Sequence, residues 1–146
     1  MGVLADMEGA VVGLDTASLI YFIEKHVTYH PLLRPFFTGL ADEKYTAATS
    51  TITLVETLVH PIRNNRLKLA RRYREILLNA PHIMTYDLSP DIAQIAAEIR
   101  ADHTLHTPDA IQLATAVYAG ATFFLTNDRA LLKYPRLKVL VVDDLA

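Results

Sequence analysis

The chain has 146 residues, 51% of them hydrophobic, with 14 Lys and Arg against 16 Asp and Glu for a formal charge of −2. That is one domain's length with enough apolar content to bury a core, and nothing in the composition signals disorder. The absence of cysteine excludes disulfides, thiolate metal sites and a Cys nucleophile, leaving oxygen and imidazole ligands for any metal, and the acidic balance excludes a general attraction to nucleic acid.

Residues 1–10 read as an N-terminal tail and residues 11–146 as a single domain. MGVLADMEGA has neither the basic start nor the apolar stretch of a secretory leader, and no apolar run approaches the roughly 20 residues that cross a bilayer, so the chain reads as soluble and cytoplasmic. VVGL at 11–14 is a short buried strand. The segment from Ala17 to Lys25 is the helix after it, with Thr16 in the capping position, which leaves Asp15 at the strand-to-helix turn. A second helix starts near Pro31, a residue suited to a first turn, and runs to about Glu43, with Pro35 bending or restarting it. YTAAT is the next strand.

From Thr51 to His60 the pattern is helical, and Ile52, Val55, Glu56 and Val59 share one face. Glu56 is thereby expected to point inward, where an unpaired carboxylate is costly and needs company. Pro61 is expected to interrupt this helix, and Asn64 or Asn65 to cap a basic helix reaching about Asn79. Arg63, Arg66, Lys68, Arg71, Arg72 and Arg74 follow one another with no acid between them. They form either a solvated face or a surface that steers phosphates, with Arg63, Arg66, Arg71 and Arg72 as candidate phosphate-backbone contacts.

HIMTYD reads as a strand, and Ser89 with Pro90 opens an alanine-rich helix to about Ala101. HTLHT connects it to a helix started by Thr107 and Pro108, bearing Asp109 in its first turn and ending at Gly120. TFFLT is a buried strand, NDRALLKY a short helix and KVLVV the final strand. The alternation predicts an α/β fold: a central, mostly parallel sheet of about five short strands flanked by about seven helices. His103 and His106 lack a further ligand nearby in sequence, and Tyr21, Phe22, Phe36, Phe37, Phe123 and Phe124 read as core or interface.

Open α/β sheets bind ligands beyond the carboxyl ends of their strands. Asp15 and Asp128 directly follow strands, Asp109 opens a helix, and Glu56 lies on a helix face. Taken singly, the three aspartates have local roles as caps or dipole partners. Taken together, four carboxylates in one pocket repel one another unless a cation neutralises them. Mg2+ or Mn2+ suits an oxygen-only donor set, and such an ion can activate water against a phosphodiester.

The ordered segments LDTASLIYF, TSTITLVETLV, TPDAIQLATA and FFLTNDRAL resemble the PIN domain family, being most similar to VapC-type toxin ribonucleases, over about Val11 to Asp144. The resemblance implies a three-layer PIN-like fold, Mg2+- or Mn2+-dependent endonuclease activity on RNA, a homodimer, and a cognate antitoxin as inhibitor. It matches the family's four acids to Asp15, Glu56, Asp109 and Asp128, as catalytic and metal-holding residues. Ser50 and Thr53 match hydroxyls that precede the family's Glu, and Thr126 and Asn127 a polar pair before the fourth acid. Where many members carry Asn two residues after the first Asp, this chain has Ala17. The rival reading is a PIN-like module that binds RNA or protein without catalysis, and no residue here distinguishes RNA from DNA by its 2′-hydroxyl.

Overall fold

Five strands, β1 (Val11–Leu14), β2 (Thr46–Ser50), β3 (Ile83–Tyr86), β4 (Phe123–Thr126) and β5 (Lys138–Val141), pair in parallel throughout, in the order β3-β2-β1-β4-β5. The structure, a computed structural model, describes residues 2–145. Among the described residues seven α-helices accompany the sheet: α1 (Val3–Asp6), α2 (Thr16–Ile23), α3 (Tyr29–Ala41), α4 (Thr51–Arg63), α5 (Leu67–Asn79), α6 (Pro90–Asp102) and α7 (Thr107–Tyr118). Two 3-10 segments, Arg129–Lys133 and Val142–Leu145, flank β5. This is the expected α/β architecture. None of the described helices is long and apolar enough to cross a membrane.

Two cores lie on opposite faces of the sheet, making three layers. Phe123 and Leu125 join Leu19, Leu33, Phe36 and Tyr73 on one side, whereas Phe124 joins Ile92, Leu113 and Leu131 on the other. The period-two alternation along β4 is what a strand buried on both faces requires. At Gly13 of β1 a Cβ would lie 2.4 Å from Phe124 Cδ1 and 2.6 Å from Ala116 Cβ, so only glycine lets α7 pack this closely. The chain leaves β1 toward β2 and β3, then returns to place β4 on the other side of β1. The strand order reverses there, and the crevice beyond such a reversal is where open sheets take their ligands.

Several local expectations differ from the structure. Of the segment read as an N-terminal tail, residues 3–6 form a helical turn and Met7 is wholly buried in the first core. Asp15, not Thr16, caps α2. Pro61 does not interrupt α4, which continues to Arg63. Because the proline stands one turn from the end, it removes a single bond, and its ring is buried. Asn64 and Asn65 end α4 instead of capping α5: Asn65 takes a left-handed φ of 56°, and Arg66 precedes α5 with no side-chain cap.

The largest correction concerns the orientation of α4. Thr53, Thr57 and Pro61 face inward, while Val55, Glu56, Val59 and Ile62 are exposed. The buried hydroxyls are hydrogen-bonded, so turning them inward leaves no polar atom unsatisfied among the described residues. Hydrophobic periodicity alone pointed to the other face.

Gly13→Ala is expected to destabilise the fold by about 1–3 kcal/mol through overpacking against Phe124 and Ala116. Urea unfolding measures it, and an unchanged midpoint would contradict the tight β1–α7 packing.

Candidate functional site

The reversal in strand order sets Asp15, after β1, beside Asp128, after β4. Thr126 links them. Its hydroxyl donates to Asp15 Oδ2 and accepts from the Asp128 backbone N–H at 3.1 Å. The other Asp15 oxygen, Oδ1, accepts from Ser18 N at 3.1 Å and from Ser18 Oγ at 3.0 Å, which is the helix cap of α2. Asp128 caps the following 3-10 segment through Ala130 N at 2.9 Å. Each aspartate therefore has its orientation fixed by the start of the element it precedes.

Glu56 is held from below. Thr16 Oγ1 donates to Glu56 Oε1 at 2.6 Å and lies 3.1 Å from Thr53 Oγ1. Gln112 Nε2 donates to Thr53 Oγ1 at 2.7 Å and Thr16 Oγ1 at 3.3 Å, and Thr53 meets Thr49 at 2.8 Å. Thr49 in turn donates to Leu14 O at 2.9 Å, closing a path from Glu56 to the last residue of β1. Thr16, Thr49 and Gln112 are functional-site residues that sequence reasoning missed. Gln112 was findable, because it stands three residues after Asp109 and therefore on the same face of α7.

Asp109 is the electrostatic hub. Desolvation by burial raises its pKa first, Asp128 and Glu56 raise it further, and His106 partly offsets them. The Asp15 pKa is also raised, mainly by burial and slightly by Asp109, against the lowering effect of the Thr126 and Ser18 hydrogen bonds. All four carboxylates, with Thr16 and Gln112, line one cleft of about 380 Å³. The convergence expected from the sequence is present.

The donor set of this cleft is oxygen throughout, which matches a hard divalent cation. Among the described residues, no three acidic or imidazole groups already stand together as a metal cage. Asp15, Glu56 and Asp128 accept hydrogen bonds from the protein, whereas Asp109 accepts none from a described side chain or N–H. An ion that keeps most of its water and takes one or two carboxylates fits this arrangement.

The supporting residues divide. Thr53 and Thr126 are buried under the cleft and bonded to its walls. Ser50 is equally buried, but its hydroxyl caps α4 through Ile52 N at 3.1 Å and does not line the cleft. Asn127 Oδ1 accepts from Asp143 N at 3.1 Å, tying the second 3-10 segment to β4. The arginines do not act as one surface. Arg66 shares a second cavity with Glu56, Arg72 lines an apolar groove, and Arg63 and Arg71 are exposed and outside the acidic cleft.

Comparison with known proteins bears on the whole arrangement. The PIN domain family matches residues 12–137. A toxin–antitoxin complex from Klebsiella pneumoniae superposes with a TM-score of 0.67 at 24% identity, covering 92% of this chain and 98% of that one. VapBC2 from Rickettsia felis, bound to a DNA fragment of its promoter, gives 0.67 at 21% identity over 90% and 98%. VapC20 of Mycobacterium tuberculosis, a toxin that cleaves the sarcin–ricin loop, gives 0.63 at 18% identity over 79% and 87%. These likenesses concern the fold. The comparison with curated proteins gave no match.

A carboxyl whose folded pKa is raised adds stability below its unfolded value, near 3.8, and loses it as pH climbs through the folded value. Ionised Asp109 therefore weakens the fold at neutral pH. Asp109→Asn is expected to raise the melting temperature by a few degrees at pH 7 and by much less near pH 4. A lower melting temperature at pH 7 would contradict the repulsion assigned here.

Proposed function

This chain belongs to the PIN domain family, and we propose that it is a Mg2+- or Mn2+-dependent endoribonuclease acting as the toxin of a toxin–antitoxin pair. The observation that carries the reading is the convergence of Asp15, Glu56, Asp109 and Asp128 on one cleft at the carboxyl edge of a parallel sheet. Four carboxylates brought together oppose folding, and a site that accepts a cation gives the arrangement a use. A similar fold in a toxin that cleaves the sarcin–ricin loop supports RNA as substrate.

Asp15 and Asp109 are proposed to hold the ion, with Glu56 and Asp128 completing its surroundings. Held there, such an ion would supply charge neutralisation for the phosphate and a more nucleophilic water near neutral pH. The chain's own residues set the geometry. Thr126 and Ser18 lock the Asp15 carboxylate, and Thr16 locks Glu56, so two walls of the cleft are oriented before substrate arrives. Gln112 and Thr53 fix Thr16 in turn.

Two partners complete the proposal. The apolar groove of about 430 Å³, lined by Phe22, Phe37 and Ile76 with Arg72 and His82 among its walls, supports docking of an antitoxin, as do similar structures solved as toxin–antitoxin complexes. The exposed stripe Val55, Val59 and Ile62 on α4 supports a homodimer, since such residues at helical spacing invite cover.

Purified protein is expected to cut RNA with Mg2+ or Mn2+ and to stop in EDTA. Asp15→Asn and Asp109→Asn should each lower the rate by more than the roughly 10–100-fold typical of outer-sphere partners. Full cleavage by either variant would reject its role. Val59→Glu is expected to turn dimer into monomer in light scattering, and a variant that stays dimeric would move the interface away from α4.

A further inference from the structure

A second cavity, of about 220 Å³, opens beside the acidic cleft and shares two walls with it, Ile20 and Glu56. Its chemistry is different. Glu24, His60, Asn64 and Arg66 line it, so it presents one further carboxylate together with an imidazole, an amide and a guanidinium. At that size it falls below the roughly 300–1,000 Å³ of pockets for drug-sized ligands and suits a single planar ring system.

Glu24 is exposed, yet its carboxylate is fixed. The hydroxyl of Tyr73, a wholly buried side chain of α5, donates to Glu24 Oε2 at 2.5 Å. Burial first, and then Glu24 itself, push the Tyr73 pKa far above the ordinary phenol value, so the hydroxyl keeps its proton and remains the donor. Glu24 Oε1 accepts from no described residue. A fixed carboxylate repels phosphate and accepts from N–H groups, whereas Arg66 donates.

We propose that this cavity binds a guanine base of the RNA strand, with Glu24 accepting from guanine N1–H and N2–H, and Arg66 donating to O6 and N7. Guanine presents two adjacent donors and, on the neighbouring edge, two acceptors. Adenine offers neither the N1–H donor nor an acceptor at position 6, and arginine with a purine O6/N7 edge is the commonest specific pairing of its kind. His60 supplies a ring to lie against the base, as single-stranded RNA is commonly read by stacking. Tyr73 is a positioning residue acting through Glu24. The place of the subsite next to the cut bond rests on the nuclease reading, but its preference for guanine does not.

The test separates the two. Titration of the full chain in EDTA with guanosine, inosine and adenosine 5′-monophosphates, followed by NMR, reads the base without cleavage. The guanosine compound is expected to bind about tenfold or more tighter than the adenosine one, with the inosine compound, which lacks the N2 amine, between them. Glu24→Gln should bring the guanosine-to-adenosine ratio close to one with the melting temperature unchanged, and Tyr73→Phe should reduce it. Equal affinities in the unaltered protein, or a ratio that survives Glu24→Gln, would overturn the subsite even if RNA is cut. Selective, Glu24-dependent binding by a protein that cuts no RNA would uphold the subsite and sink the nuclease. In cleavage, Glu24→Gln should reduce the ratio of rates on guanine-containing and guanine-free oligonucleotides; a ratio that stays the same would also overturn it.

Discussion

Parallel pairing in all five strands imposes the constraint from which the site follows. Every strand ends at the same edge, so every loop leaving a strand starts there, and the reversal between β1 and β4 opens a crevice at that edge. Asp15 and Asp128 are the residues at the two lips. A single hydroxyl, Thr126 Oγ1, bonds the carboxylate of the first and the backbone of the second. Asp109 reaches the same place only because α7 packs against β1 where Gly13 has no side chain. Sheet topology, helix packing and electrostatics thus meet at one cleft, and repulsion among its acids is the thermodynamic penalty for bringing them together.

That penalty is met by hydrogen bonds of uneven distribution. Asp15 receives three, two of them from its own helix cap. Glu56 receives one, backed by a buried set of hydroxyls and an amide. Asp109 receives none from the described residues, and its pKa is raised first by burial and then by the charges of Asp128 and Glu56. The cleft is therefore rigid on three sides and electrostatically open on the fourth. Asp109 is the carboxylate on that open side.

How much of this was legible in the sequence follows from what each signal measures. The strands and the helix starts at Ser89–Pro90 and Thr107–Pro108 were readable, because buried apolar runs and first-turn prolines act locally. All four acids were readable as a set, since each sits at a predictable junction or on a helix. The facing of α4 was not. Its apolar periodicity named Val55 and Val59, yet the buried face belongs to Thr53 and Thr57, whose hydroxyls find partners on β2, on α7 and in α4's own turn. Threonine carries no strong hydropathic signal, so a polar network assembled from four separate elements leaves no trace in periodicity. The caps at Asn64 and Asn65 failed for a related reason: asparagine serves a left-handed helix end as readily as a start.

The network under Glu56 carries a further property. Thr16, Thr53 and Thr49 each have one proton to give, and for the Thr16–Thr53 and Thr49–Thr53 contacts either oxygen can be the donor. Glu56 Oε1 removes part of that freedom by accepting from Thr16, and the Leu14 carbonyl accepts from Thr49. Thr53 keeps a choice of which neighbour to face, and Thr49 has a second, longer acceptor in Gln112 Oε1 at 3.4 Å. A line of hydroxyl dipoles thus runs beneath the cleft, anchored at one end by a surface carboxylate and at the other by the last carbonyl of the central strand.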